Sequence, residues 1–245
     1  MNSAILFAAI TVLATLAGGV LALKANDRFH LVLGLSAGLL LGLVGFDLLP
    51  EVFEMHDGTF AGVPAVAVAL LAGFLILHLL EGLFGGHEPA ESDYGHDHEH
   101  HNVAGVIGAV AMGGHIFLDG IALGVAFKVS DSLGLAVFIA VMVHAFSDGL
   151  NTVSMMVKGN SWNKKSVALL GVDAVARIGG ATFGTYLTLS DSLMSIYLAL
   201  FSGVLIYLAT SHILPEAHSR HSSRWTFAST LVGVGIMWAI VATLG

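Results

Sequence analysis

The chain has 245 residues, of which 56% are hydrophobic and only 11% are charged, and its formal net charge is -8 at pH 7. A soluble domain of ordinary composition carries about 25% charged residues, so this composition predicts a protein that lies in a lipid bilayer. The absence of cysteine excludes disulfides, iron–sulfur clusters and thiolate metal sites. The nine lysines and arginines leave no basic patch for nucleic acid.

Eight apolar segments are long enough to cross about 30 Å of hydrocarbon as helices. They lie at 4–23, 30–53, 63–85, 103–127, 132–157, 165–188, 192–217 and 225–244. No basic residues precede the first segment, so we expect it to be retained and not cleaved as a signal peptide. The pattern predicts an all-α integral membrane protein with a single transmembrane domain over residues 1–245.

The basic residues predict how the chain is oriented. Six of the nine lysines and arginines lie in the first, fifth and seventh connections between segments, and Lys165 directly follows the fifth. Because positively charged connections stay in the cytoplasm, we expect these three on the cytoplasmic side and both termini on the extracytoplasmic side. The connection 86–102 then also faces the cytoplasm.

This connection is rich in histidine. Its histidines include His96, His98, His100 and His101, which alternate with acidic residues. Such a tract is typical of a disordered segment that captures metal ions. A solvated linker without a metal role is the alternative.

Two short patterns each occur twice along the chain. The fourth and fifth segments both contain H-x-F-x-D-G, at 115–120 and 144–149. The second segment ends in D-L-L-P-E at 47–51, and the seventh ends in H-I-L-P-E at 212–216. The members of each pair lie in segments of opposite direction, which is typical of transporters whose site lies between inverted repeats.

The first of these patterns predicts a metal site. Ionisable side chains within a bilayer cost roughly 2.5–3.5 kcal/mol on insertion scales, and they mark functional sites. The spacing of four residues places His115 with Asp119, and His144 with Asp148, on one helix face each. If the two faces meet, two imidazoles and two carboxylates surround one point, a donor set that suits Zn²⁺ and also Fe²⁺, Mn²⁺ or Co²⁺. The alternative is a set of interhelical hydrogen bonds without a metal.

The second pattern places charged groups near the segment ends. We expect Asp47 and Glu51 to line an outer vestibule, and His212 and Glu216 an inner one. The prolines of this pattern remove a backbone donor, which is tolerated where a helix faces a cavity. Solvation of helix ends is the alternative explanation for these four side chains.

Three further polar residues lie inside apolar segments. Asn151 follows Asp148 on the same helix face and is expected to orient a ligand or to bind a passing ion. Arg177 is the single cation among the intramembrane residues. It either forms an intrahelical ion pair with Asp173 or points at Asp148, where it would stand in for a second metal ion.

These motifs resemble the ZIP (Zrt/Irt-like) family of divalent metal transporters. The resemblance is carried by HIFLDGIALGVAF in the fourth segment and HAFSDGLNT in the fifth, and it covers essentially the whole chain. It implies eight transmembrane helices with inverted 3+2+3 symmetry, and a homodimer in the cell membrane. It also implies that His115, Asp119 and Asp148 are metal ligands, with His144 as a ligand or near neighbour.

The chain departs from the family pattern at three positions. Ile116 stands where many relatives have Asn, and Ala145 where many have a polar or acidic residue. Ala176 stands where a Glu is often found, beside Arg177. These changes remove ligands of the family's second, adjacent site, so we expect a single-metal centre in which Arg177 supplies the missing positive charge.

The resemblance predicts a transporter and not an enzyme, with metal ions passing from outside into the cytoplasm. In the family's mechanism the first, fourth, fifth and sixth segments rock against the other four. We expect no cofactor apart from the transported ion. Two other classes remain open, an intramembrane zinc hydrolase and a metal sensor without flux; a hydrolase would need an open coordination position for water and a nearby general base.

Overall fold

The computed structural model describes residues 3–22, 29–84, 101–154, 164–220 and 224–244, and nearly all of them are helical. The helices are α1 (Ser3–Ala22), α2 (Phe29–Leu43), α3 (Leu49–Met55), α4 (Ala65–Phe84), α5 (His101–Val129), α6 (Asp131–Ser154), α7 (Lys164–Tyr186), α8 (Asp191–Tyr207), α9 (Leu214–Arg220) and α10 (Arg224–Leu244). A helix lies over each of the eight apolar segments.

The predicted all-α membrane protein is confirmed in its class. Among the described residues, five helical stretches are long and apolar enough to cross a membrane: Ser3–Val20, His30–Met55, Val167–Tyr186, Asp191–His218 and Arg224–Thr243. Ala65–Leu80 and Asp131–Phe146 are shorter apolar helices. The chain is therefore a multi-pass membrane protein.

Both prolines of the repeated L-P-E pattern follow a π-helical turn. The first turn, Val44–Leu48, joins α2 to α3, and Pro50 lies in the first turn of α3. The second turn, Leu208–Ile213, joins α8 to α9, and Pro215 follows it in the same way. The sequence predicted the prolines' missing donors but not the π turns.

The backbone bonds of the two π turns match. The N–H of Leu49 donates to the carbonyl oxygen of Val44, and the N–H of Leu214 donates to that of Ala209. Each bond reaches back five residues where an α-helix reaches back four. In both turns the donating residue directly precedes the proline, whose nitrogen has no hydrogen to donate. The wide turn therefore ends before the proline, and the chain continues as regular α-helix.

The connection between α3 and α4 contains a small hairpin in place of a plain loop. Its strands are β1 (Thr59–Phe60) and β2 (Val63–Pro64), paired antiparallel with Phe60 opposite Val63. Ala61 and Gly62 both have positive φ, 52° and 81°. Two central residues of positive φ are what a two-residue hairpin turn of type I′ requires.

Glycines bring α5 and α7 into backbone contact. The glycines that face the other helix are Gly120 and Gly124 of α5 and Gly180 and Gly184 of α7. A Cβ on Gly120 would overlap the carbonyl oxygen of Arg177, and one on Gly180 would overlap that of Phe117. Small residues permit such close approach between helices in lipid.

Glycines also bring α1 and α6 into backbone contact. A Cβ on Gly18 would overlap the carbonyl oxygen of Phe146, and one on Gly149 would overlap that of Thr15. Gly120 and Gly149 are the final residues of the two H-x-F-x-D-G patterns, so both serve helix contact. The helices α1, α5, α6 and α7, joined in this way, are called the site group below.

A second set of helices packs by the same rule. In the pair α2 and α10, Gly38 faces the backbone of Thr230 and Gly233 faces that of Leu35. In the pair α4 and α8, Gly73 faces Leu200 and Gly203 faces Leu70. These four helices are called the outer group. Buried leucines of α2 and α8, such as Leu40 and Leu198, form part of the hydrophobic core.

The adjacent glycines of α7 allow a matched test of this packing. We expect Gly180→Ala to lower the melting temperature of the purified protein in detergent, because overpacking costs about 1–3 kcal/mol. Gly179→Ala is the control, since a Cβ there meets no atom within 4 Å. Alanine favours a helix over glycine, so the control should match or exceed the parent. Equal melting temperatures for the two variants would contradict the packing argument.

Candidate metal centre

Four side chains of α5 and α6 converge inside the bundle. Nitrogen or carboxylate oxygen atoms of His115, Asp119, His144 and Asp148 all lie within 4.8 Å of one another. Asp119 and His144 are completely buried, and Asp148 is 5% exposed. The repeated H-x-F-x-D-G pattern therefore does bring both histidines and both aspartates to one place.

Asp119 lies at the centre of this group. Its Oδ2 atom is 2.9 Å from Nε2 of His144 and 3.5 Å from Nε2 of His115. The two imidazole rings have centroids 6.1 Å apart. Oδ1 of Asp119 and Nε2 of His115 are buried without a hydrogen-bond partner in the described part of the chain. Unpartnered buried atoms of this kind are costly, and a bound cation would satisfy both.

The backbone of α6 orients His144. Its Nδ1 atom donates to the carbonyl oxygen of Ala140 at 2.8 Å, one turn earlier in the helix. Nε2 is then the atom directed at the centre. Metal-binding histidines commonly donate their other ring nitrogen to a carbonyl or carboxylate in this way, which fixes the ring and its tautomer.

Arg177 reaches the same centre from α7. Nη2 of Arg177 donates to Oδ2 of Asp148 at 2.9 Å, and Nη1 lies 3.8 Å from Oδ2 of Asp119. Of the two partners that the sequence left open, the structure favours Asp148 over Asp173. The guanidinium is completely buried, so it forms a desolvated bridge between the two carboxylates.

The three departures from the family pattern are direct chain neighbours of residues in this group. Ile116 and Ala145 are completely buried, next in the chain to His115 and His144 respectively. Ala176 is partly buried beside Arg177. These apolar side chains offer no ligand atom, so among the described side chains the oxygen donors of the group are those of the two aspartates.

The structure does not bring the L-P-E residues into this group. Among the described residues, the converging donors are the four side chains of α5 and α6. Asp47 and Glu51 are partly buried beside the first π turn, and His212 and Glu216 are partly buried beside the second. Oδ2 of Asp47 is buried without a hydrogen-bond partner, while the ring of His212 packs edge-on against Tyr207.

Several predicted residues lie outside the described part of the chain. These are His96, His98 and His100, together with the side chains of His101 and Asn151. The helix α5 already begins at His101, two residues before the predicted segment.

One contact at the centre was missed by the sequence analysis. The hydroxyl of Tyr197 in α8 donates to the carbonyl oxygen of Leu118 at 3.2 Å. Leu118 immediately precedes Asp119, so this bond links the outer group to the site group beside the candidate ligands. A hydroxyl within an apolar segment was the available signal, since such groups hydrogen-bond to neighbouring helices.

Comparison with known proteins gives a consistent family. The model of the ZIP Zinc transporter family matches residues 85–241. The zinc transporter GufA of Myxococcus xanthus is 29% identical over 219 residues, which cover 86% of this chain and 83% of that protein. The zinc transporter ZupT of Chlorobium chlorochromatii is 24% identical over 260 residues, 97% of each chain. The zinc transporter foi of Drosophila melanogaster is 30% identical over 130 residues, which cover 51% of this chain and 18% of that protein.

The helix bundle and its buried donors define a multi-pass membrane protein with an intramembrane group of metal-binding type. The family model covers well over half of the chain. The protein therefore belongs to the ZIP zinc transporter family. It is a transporter of metal ions and not an enzyme, so the hydrolase alternative is not favoured.

The central position of Asp119 predicts how binding depends on it. We expect Asp119→Asn to weaken zinc affinity by about tenfold or more. Loss of even an outer hydrogen-bond partner of a metal ligand costs about 10–100-fold in affinity. Affinity is measured by competition with a chromophoric chelator, in a background where His96, His98, His100 and His101 are serine. Asp131→Asn, an exposed carboxylate at the start of α6, is the control. Equal zinc affinities for the two variants would show that Asp119 is not a ligand.

Proposed function

We propose that this protein carries a divalent metal ion, zinc first, into the cytoplasm by way of His115, Asp119, His144 and Asp148. The observation that carries the proposal is the convergence of these four buried donors within 4.8 Å. Two nitrogens and two carboxylates suit Zn²⁺, and the same set admits Fe²⁺, Mn²⁺ and Co²⁺. No cofactor is needed besides the transported ion.

The geometry is close to what zinc requires. Zinc bonds of 2.0–2.2 Å in a tetrahedron put neighbouring donors about 3.4 Å apart. The four donors lie within 4.8 Å of one another, at most about 1.4 Å more than this separation, so binding contracts them through side-chain movements. His144 is already oriented by the Ala140 carbonyl, which leaves its Nε2 ready to bind.

The proposed site holds one ion. Ile116 and Ala145 supply no ligand where a second ion would need one, and the guanidinium of Arg177 lies against Asp148. A second cation would have to displace this buried and permanently charged group.

We further propose eight transmembrane helices with inverted 3+2+3 symmetry and both termini outside. The matched π turns before Pro50 and Pro215 support it. So do the closest helix pairs, because inversion exchanges the pair α1–α6 with α7–α5, and the pair α2–α10 with α8–α4. A homodimer in the cell membrane follows from family membership and remains an expectation.

In this proposal the metal ion follows the line of the polar groups. It loses water near Asp47 and Glu51, binds at the four-donor centre, and leaves past His212 and Glu216 toward the histidine-rich connection 86–102. Asn151, beyond Asp148 on α6, would assist a partly hydrated ion. The site group moves relative to the outer group to open the centre to each side in turn.

Flux into proteoliposomes tests the site. We expect His115→Ala and Asp148→Ala each to reduce zinc uptake by more than about tenfold, because each removes a ligand. His218→Ala, an exposed histidine of α9, is the control and should transport like the parent. If both ligand variants transported like the parent, the four-donor site would be wrong; if the parent showed no flux, a metal sensor would replace the transporter.

The number of bound ions tests the single-metal centre. In the background with His96, His98, His100 and His101 changed to serine, we expect equilibrium dialysis to give one tightly bound zinc per chain. The parent loop should add weaker binding, since exposed histidines capture metal ions. Two tight ions in the loop variant would show a binuclear centre.

A further inference from the structure

Burying the charge of Arg177 beside a metal site costs free energy, so its presence there needs a specific explanation. It is completely buried, and its Nε and Nη1 atoms have no hydrogen-bond partner in the described part of the chain. A guanidinium carries five donors and is always charged. Leaving two of its nitrogens unpartnered indicates that its charge, more than its hydrogen bonds, is what the site uses.

The charge at the centre depends on whether metal is bound. With neutral imidazoles, the ionised Asp119 and Asp148 contribute two negative charges and Arg177 one positive charge, so the empty site is singly negative. A divalent cation then makes the loaded site singly positive. Without Arg177, the empty site would be doubly negative and the loaded site neutral.

These charges decide which state Arg177 favours. The cost of burying charge rises with the square of the net charge, so Arg177 lowers the burial cost of the empty site about fourfold. It raises the cost of the loaded site, which would otherwise be neutral. A residue that only improved metal binding would have the opposite effect, so Arg177 favours the empty state.

Arg177 also stays with the carboxylates when the helices move. It lies on α7, whose Gly180 packs against the backbone of α5 at Phe117, and Gly120 of α5 packs against the backbone of Arg177 itself. The two helices can separate only by losing this contact. The guanidinium and Asp119 therefore belong to one rigid unit within the site group.

We propose that Arg177 is the counter-ion that allows the empty site to cross back through the bundle after the metal ion has been released. The proposal rests on the transport function above, and it applies to a carrier whose empty site must return. The return step is required for net uptake. It is not required for exchange, in which zinc from one side replaces zinc from the other.

The test compares net uptake with exchange in proteoliposomes, with the membrane potential held at zero. Net uptake is measured as radioactive zinc entering zinc-free vesicles, and exchange as its entry into vesicles filled with unlabelled zinc. We expect Arg177→Gln to slow net uptake about tenfold or more, since each 1.4 kcal/mol on the return step is a factor of ten. The ratio of exchange to net uptake should therefore rise about tenfold or more over that of the parent, and the melting temperature of the purified variant shows whether it is folded. Arg177→Lys keeps the charge and should recover most of the net uptake.

Four results would overturn the proposal. Arg177→Gln could lose exchange as much as net uptake, which would give Arg177 a role in binding or folding. It could match the parent in both, which would leave Arg177 without a role in transport. Arg177→Lys could fail like Arg177→Gln, which would exclude charge as the reason. The parent could show no acceleration by internal zinc, which would indicate a channel; only a parent without any zinc flux would also contradict the transport function.

Discussion

Two ionised carboxylates inside a helix bundle that lipid surrounds impose the strongest constraint on this protein. Asp119 is completely buried and Asp148 nearly so, and each must face positive charge or a bound cation because water is excluded. Arg177 meets this need for both carboxylates, at 2.9 Å from Asp148 and 3.8 Å from Asp119. Three helices must therefore come together at one depth, each carrying a part of the site.

Close approach of the helices in the site group accounts for the glycines. Gly120 and Gly149 follow the two aspartates directly, so each helix touches a neighbour's backbone one residue beyond its candidate ligand. The chemical residues and the packing residues of H-x-F-x-D-G thus form one unit, which explains why both recur together in the two helices.

The sequence predicted the helices and the four donors because each depends on local spacing. Apolar runs bound the helices, and four-residue spacing places His115 and Asp119 on one face. Arg177 could not be assigned in the same way, because Asp173 is one turn away on its own helix and only the approach of α6 favours Asp148. The hydrogen bond from the Tyr197 hydroxyl could not be predicted from the sequence either, since it depends on how α8 lies against α5.

The π turns have a consequence for which side chains face the bundle. A π turn amounts to one inserted residue, and each residue of a helix turns the chain by about 100°. Two residues after each proline, Val52 and Ala217 are completely buried, so the insertion sets the same rotation in both halves. Without the π turn, the same residues in a regular α-helix would bring Glu51 and Glu216 to the positions that Val52 and Ala217 now hold. Both halves would then bury a carboxylate where an apolar side chain packs now, so each π turn keeps its glutamate at the partly buried edge of the helix.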